Sequence, residues 1–397
     1  MPWQYASRME VVRPSAIRDL LKHGDDPAII PFGGGYPDPT LFPMTELRGI
    51  YDELLAGPDS SVLQYTVSDG PPRLRQAIVE LMAADGVACN VDEVIVLQGA
   101  QQGLDLVARM LIDPGDVIVV EDPTFLGAML AFAPCQPEYA TVRLDDDGMD
   151  PDDLDRILTA TPRAKFLYTM PDFQNPTGVS MSLERRKRVV DIAAKHDVLI
   201  LEDTPYRLLR FEGPTLPTLK SFDTDGRVIF LGSFSKTLAP GMRIGWAVAN
   251  PEVTARLGLL KTAADTQSST LNMAALTLYL ERHGLAARVA EITPAYRAKR
   301  DLMLDTLAEY FPPSVSYTRP SGGMFTWLTF PEGFDTAAFM RDEALPKAKV
   351  AYVPGATFFA REHRINHARF NYSFLADERM VTGLVRLADL LRASAIG

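Results

Sequence analysis

The segment SFSKTLAPGMRIGW (233–246) concentrates reactive groups. Lys236 is a primary amine, Ser233 and Ser235 bring hydroxyl donors, and Arg243 brings a fixed cation, all directly after an apolar run. Guanidinium and hydroxyl groups satisfy phosphate oxygens, so the set suits a phosphate held beside a nucleophilic amine. An isolated S-x-S-K would read as a solvated surface loop, but three further fragments keep it company. GAQQG (99–103) follows EVIVL and opens a helical pattern, offering backbone N–H groups and a positive dipole end to an anion. PDFQNPTG (171–178) follows KFLYTM, and EDTPY (202–206) follows VLIL. In open α/β sheets ligands collect at the carboxyl ends of strands, so these dispersed loops can converge on one site.

The elements that must position them are legible as apolar runs. EVIVL (93–97), DVIVV (116–120), KFLYTM (165–170), VLILED (198–203), RVIFLG (227–232) and RIGWAVAN (243–250) alternate with amphipathic stretches such as 101–112 and SLERRKRVVDIAAKHD (182–197). Strands of continuous Val, Ile and Leu are buried on both faces, which indicates a mostly parallel sheet covered by helices. The last third differs: a long helix over roughly 285–310, strand-like pieces in 311–330, a helix near 335–345, strands at KVAYVPG (349–355) and ARFNYSF (368–374), and a closing helix. That mixture implies a smaller α+β domain. The expected division is an N-terminal arm with part of the small domain (1–45), a large domain (46–290) and the small domain (291–397).

The balance of 40 basic against 51 acidic side chains, a net charge of −11 over 397 residues, argues against a nucleic-acid binder. Two cysteines, Cys89 and Cys135, supply neither a disulfide framework nor a zinc cluster, and both are expected to be buried thiols. The N-terminus lacks the apolar stretch of a signal peptide, and no run approaches the ~18 apolar residues of a membrane span. A cytoplasmic protein without a bound metal is expected.

The order of these motifs resembles the aminotransferase class I/II group, enzymes of the aspartate-aminotransferase fold that use pyridoxal 5′-phosphate (PLP). The resemblance is strongest to the branch of 2-aminoadipate and kynurenine aminotransferases. It extends from PSAIRDLLK (14–22) and FGGGYPDPTLFP (32–43) through LQYTVSDGPPRLR (63–75) to SGGMFTWL (321–328) and VAYVPGATFF (350–359). It implies fold type I, with a seven-stranded sheet in the large domain, and a transaminase acting on an L-amino acid and a 2-oxo acid. Lys236 would be the amine that condenses with the cofactor aldehyde and moves the substrate proton. Asp203 would keep the pyridine nitrogen protonated; Asn175 and Tyr206 would bond the phenolic oxygen, and Phe125 would stack on the ring. Gly99, Ala100, Gln101, Ser233, Ser235 and Arg243 would surround the phosphate. Ala100 and Phe125 stand where relatives often carry Ser and Tyr, and each is equally readable as core packing.

Arg369, in ARFNYSF, matches the position that grips the substrate carboxylate; the alternative is an ion pair on an edge strand. Tyr65, in LQYT, would reach the phosphate site of a neighbouring subunit, implying a homodimer with shared active sites; a packed strand-end tyrosine is the alternative. The same cofactor could serve an oxidase or β-lyase. The effector domain of an aminotransferase-like transcription regulator is a weaker reading, since only about 30 residues precede the first motif. Arg18, beside the loop containing Gly35, is expected either to recognise a distal carboxylate or to be a solvated helix charge. In the first case Arg18→Ala raises KM for glutamate and 2-aminoadipate while sparing leucine; equal effects on steady-state kinetics with all three would remove the assignment.

Overall fold

The computed structural model describes residues 3–12, 26–362 and 364–394. Arg18 lies outside the described residues. A two-residue strand, Ile30–Pro31 (β1), precedes the helices Met44–Ala56 (α1) and Pro72–Ala84 (α2). Val94–Leu97 (β2) then enters Ala100–Leu111 (α3) through Gly99, and Val117–Asp122 (β3) enters Leu126–Phe132 (α4). Glu138–Asp145 (β4) turns back as Gly148–Met149 (β5), and Pro151–Ala160 (α5) leads to Ala164–Thr169 (β6). Leu183–Lys195 (α6) starts where the Ser182 hydroxyl accepts the Arg185 N–H. It feeds Leu199–Asp203 (β7), after which Val228–Ser233 (β8) and Gly245–Val248 (β9) complete the sheet.

The strand order is β2-β9-β8-β7-β6-β3-β4-β5. The run from β8 to β4 is parallel, and β9 lies antiparallel to both of its neighbours. Seven strands are the expected ones in number; the eighth, β5, is a two-residue hairpin return on β4. The carboxyl ends of β2, β3, β6, β7 and β8 therefore share one edge, and each is followed by one of the chemically marked loops. Every residue of β2 and β8 is buried, as the unbroken apolar runs require.

Pro251–Asp265 (α7) and Thr270–His283 (α8) lead to the 26-residue helix Leu285–Tyr310 (α9). Beyond it, Ser316–Tyr317 (β10), Phe325–Thr329 (β11), Thr336–Phe339 (α10), Val350–Ala351 (β12), Val353–Pro354 (β13), His367–Asn371 (β14) and Asp377–Ala393 (α11) follow. An antiparallel sheet of order β10-β11-β14-β13 forms here, and β12 pairs in parallel with β1. The single strand expected over 349–355 is thus two short ones on different sheets. Tyr352, between them, is fully buried, and its hydroxyl donates to the Thr336 carbonyl at 2.7 Å. The helix expected near 335–345 continues from α10 as a π-helical stretch, Met340–Ala348, since Pro346 supplies no N–H for an ordinary turn.

One apolar cluster runs from Ile95 and Leu231 through Met303 and Leu307 to Phe370, Leu384 and Leu391, so the sheet, α9 and the C-terminal elements share a core. Cys89 and Cys135 are half-buried free thiols, less enclosed than expected. Among the described residues, no helix is long and apolar enough to cross a membrane, and no cluster of His, Cys, Asp and Glu could hold a metal ion.

Asp172 lies in the loop after β6 and has no exposed surface. It faces Arg186 at 2.8 Å, Arg207 at 3.1 Å and Arg210 at 3.3 Å. Removing one partner of a buried ion pair typically costs about 3–5 kcal/mol because the other charge is left stranded. Asp172→Ala is expected to lower unfolding stability by about that much in urea titration, while Glu281→Ala, which cuts the solvent-exposed pair with Arg73, costs less than about 1 kcal/mol. Equal losses would show that the cluster does not anchor the loop.

Candidate active site

Lys236 lies in the loop after β8, half-buried, with its Nζ donating to the Gly35 carbonyl at 2.8 Å. Burial is the main reason its pKa falls to about 8, and the guanidiniums of Arg369 and then Arg243 add repulsion. The amine also stands 6.0 Å from the centre of the Tyr206 ring. Gly35 also packs closely on Phe325, whose ring would lie 3.2 Å from a Cβ there. The result is an amine that can be neutral, and hence nucleophilic, near neutral pH.

Asp203 ends β7 and is 2% exposed. One carboxylate oxygen accepts the Tyr168 hydroxyl at 3.0 Å, and the other has no partner. Desolvation raises its pKa to about 7, against a smaller lowering from Tyr168. A buried acid with one unmet oxygen calls for a donor from outside the chain.

Asn175, Tyr206 and Arg369 form one buried chain of bonds. Asn175 donates to the Tyr206 hydroxyl at 3.3 Å and accepts from Arg369 at 2.7 Å; a second Arg369 nitrogen donates to the Gly33 carbonyl at 2.6 Å. Arg369 is 1% exposed, stacked 4.2 Å from the Phe325 ring centre and 5.1 Å from that of Phe358. Its strand pairs on both sides, so the edge-strand ion pair offered as its alternative is absent. Its Nε has no partner, and burial lowers its pKa to about 10, which still leaves it charged. Burial likewise raises Tyr206 to about 12.

The phosphate-marked residues gather on the same edge. Gly99 caps α3 with φ 75°, a conformation only glycine takes freely, and a Cβ there would meet an Arg243 nitrogen at 2.8 Å. Gly245 also lacks room, because a Cβ would sit 2.8 Å from the Ala100 nitrogen. Ala100 and Gln101 open α3, whose first N–H groups lack helical acceptors, while the Gln101 side chain turns away to the Gly127 carbonyl at 2.7 Å. Ser233 and Ser235 are buried, linked by an N–H to hydroxyl bond of 3.2 Å. Exposed Arg243 donates to the carbonyls of Gln98 and Pro240. Phe125 is half-buried at the start of α4, its ring over Gly127, where a Cβ would come within 2.4 Å. Tyr65 is not gathered with them: it is 80% exposed.

Sequence reasoning missed Tyr168, the partner of Asp203, and the buried acid Glu121, which accepts from Thr169 at 2.5 Å and Gln174 at 3.0 Å. Gln174 also donates to the Pro123 carbonyl at 2.8 Å, tying the loops that carry Asn175 and Phe125. The available signals were a tyrosine inside a buried strand and an acid at the end of another, both of which need partners.

The mostly parallel sheet, with its site at the strand ends and a smaller antiparallel sheet beyond α9, is the aspartate-aminotransferase-like architecture of PLP enzymes of fold type I. Residues 40–381 match the family model "Aminotransferase class I and II", and the chain belongs to that family. It is a transaminase dependent on pyridoxal phosphate. An aromatic-amino-acid aminotransferase of Thermococcus litoralis is 39% identical over 386 residues, 96% of this chain and 92% of the relative. A 2-aminoadipate transaminase of Thermus thermophilus is 36% identical, over 96% and 94% of the two chains. Among solved structures, a kynurenine aminotransferase of Pyrococcus horikoshii superposes with a TM-score of 0.94 at 35% identity, covering 99% of this chain and 98% of the other.

Asp203 binds its proton more tightly folded than unfolded, with a pKa of about 7 against 3.8. Its contribution to stability is therefore fully present below the unfolded value and is lost as pH rises to about 7. Glu121 and Glu202, also raised to about 7 by burial, act in the same direction. Cofactor-free protein is expected to lose stability between about pH 4 and pH 7, and Asp203→Asn to flatten that loss by a few kcal/mol, read from urea midpoints against pH. Superimposable profiles for parent and variant would contradict the assignment.

Proposed function

We propose that Lys236 and Asp203 handle the two ends of the chemistry in an amino-group transfer between an L-amino acid and a 2-oxo acid. The amino acid is 2-aminoadipate or glutamate, with aromatic and branched aliphatic side chains also accommodated. The reading is carried by the unpartnered oxygen of Asp203, a buried acceptor on the same strand-end edge as a low-pKa amine. The chain's groups fit pyridoxal phosphate: Asp203 would hold the ring nitrogen, Tyr206 and Asn175 the phenolic oxygen, and Phe125 the ring face. The glycine-spaced cradle of Gly99, Ala100, Gln101, Ser233, Ser235 and Arg243 would hold the phosphate. When bound, that group supplies an electron sink for the carbanion left at the substrate Cα.

The remaining work belongs to the chain. Arg369 grips the substrate α-carboxylate beside Asn175 and fixes the orientation of the Cα–H bond. Lys236, neutral above its lowered pKa of about 8, would be the base that takes the proton from the substrate Cα and carries it on. Asp203, with Tyr168 on one oxygen, would hold a proton at the ring nitrogen with the other. Gly35 borders the substrate, and Arg18 is assigned to a distal carboxylate.

We further propose a cytoplasmic homodimer in which Tyr65 of each subunit completes the partner's phosphate site. Support comes from exposed apolar groups around it: Leu63 is 69% exposed, Tyr65 80% and Val67 50%, and Trp3 and Tyr5 in the N-terminal arm are also exposed. The division into an arm with part of the small domain (1–45), a large domain (46–290) and a small domain (291–397), joined by α9, is part of the same reading.

The test is spectroscopic. Glutamate is expected to bleach the visible band of the holoenzyme, and 2-oxoglutarate to restore it. Lys236→Ala is expected to cut turnover roughly 10²- to 10⁴-fold, the usual worth of a positioned proton carrier. Arg369→Leu is expected to raise KM for every amino donor roughly 10- to 150-fold, the loss of one charge-assisted contact. Lys236→Ala protein turning over at the parent rate would overturn the reading, and product formation without an oxo-acid acceptor would replace it with a lyase or oxidase.

A further inference from the structure

Tyr65 is 80% exposed, and residues 64–71 around it belong to no helix or strand. Left to itself, a tyrosine in such a loop samples several rotamers and backbone states. The backbone on both sides of it is nevertheless held, by two side chains at the start of α8. The Thr66 N–H donates to Gln267 Oε1 at 2.5 Å, Gln267 Nε2 donates to the Thr270 hydroxyl at 2.7 Å, and that hydroxyl donates to the Gln64 carbonyl at 2.9 Å. Donors and acceptors alternate along the chain, so turning the Gln267 amide over would set its NH2 group against the Thr66 N–H. Bonds linked in this way strengthen one another.

Gln267 reaches its place through a strained turn. Thr266 has φ 65° and ψ −54°, a region that a β-branched residue rarely enters. The Gln267 N–H donates to the Asp265 carbonyl at 2.6 Å, which closes a γ-turn of the rarer, positive-φ form. Asp265 is tied in turn: it accepts from fully buried Lys261 at 2.8 Å and from Gln102 at 2.7 Å, and Gln102 accepts the Gln98 N–H at 2.9 Å. Gln98 adjoins Gly99, so the bonds that set Gln267 begin beside the phosphate cradle. Strain of this kind persists where the surroundings over-determine it, and it gathers where geometry serves function.

We propose that Gln267 and Thr270 are positioning residues for Tyr65. By pinning the Gln64 carbonyl and the Thr66 N–H, they aim the tyrosine between them so that its hydroxyl meets the cofactor phosphate of the partner subunit. The proposal rests on the shared-site homodimer proposed above. A side chain that must cross an interface binds more tightly when its ordering is already done within its own subunit. Tyr65 has no burial to hold it, and the polar bridge supplies that order instead.

The full chain, stripped of cofactor, is titrated with PLP and in parallel with pyridoxal, which lacks the phosphate. Tyr65→Phe is expected to weaken PLP roughly tenfold or more, the loss of one charge-assisted bond, and to leave pyridoxal unchanged. Thr270→Val and Gln267→Leu are expected to weaken PLP roughly threefold or more with the same selectivity, while Thr270→Ser, which keeps the hydroxyl, binds like the parent. In a Tyr65→Phe background Thr270→Val is expected to cost nothing further, because the bridge acts only through the tyrosine hydroxyl. An equal loss for PLP and pyridoxal, a loss that adds to that of Tyr65→Phe, or parent-like PLP affinity in Thr270→Val and Gln267→Leu would each overturn the inference. If Tyr65→Phe itself leaves PLP affinity unchanged, the shared-site reading fails and the inference with it; if Tyr65→Phe weakens PLP and the bridge variants do not, the bridge alone fails.

Discussion

The Asp203 carboxylate sits at the buried end of a central parallel strand with a hydroxyl on one oxygen and nothing on the other. Among the described residues no cation stands against it, so its proton affinity is set mainly by desolvation. Such a group is tolerated when a later partner offsets its cost, and the surrounding architecture holds the carboxylate in place. β7 is flanked by β6 and β8 in parallel register, which fixes Asp203 relative to the loops that carry Asn175 and Lys236. Tyr168 comes from β6, one strand over, and holds the carboxylate orientation.

Repulsion among cations does the complementary work at the amine. Arg369 is held by Asn175 and the Gly33 carbonyl, without a carboxylate of its own. Among the described residues no carboxylate offsets its charge, which disfavours the ammonium form of Lys236. In the proposed function, one arginine thus tunes the amine and recognises the substrate. An arriving carboxylate would offset the Arg369 charge and let the Lys236 pKa rise.

Much of this was legible beforehand because local rules carried it. Continuous Val and Ile runs marked β2, β6, β7 and β8, the glycine before Ala100 marked the start of α3, and α9 spans the residues its periodicity indicated. Asn175, Tyr206 and Lys236 were identifiable as strand-end residues. The remainder depended on pairing across sequence: Tyr168 meets Asp203 across two strands, and Glu121 joins loops that no motif connects. The split between β12 and β13 was hidden because both read as one apolar run, although their partners are β1 and β14. The edge-strand alternative for Arg369 failed for the same reason, since neighbours of a strand are not written in its own residues.

The central claim is that Asp203 keeps a proton on the cofactor's ring nitrogen. Nitrogen NMR of holoenzyme reconstituted with PLP labelled with nitrogen-15 in the ring reads that proton directly. A protonated-nitrogen shift that persists to pH 9 in the parent, and converts to the neutral shift in Asp203→Ala, is the predicted result. A neutral nitrogen in the parent at pH 8, or the same shift in both proteins, would contradict it.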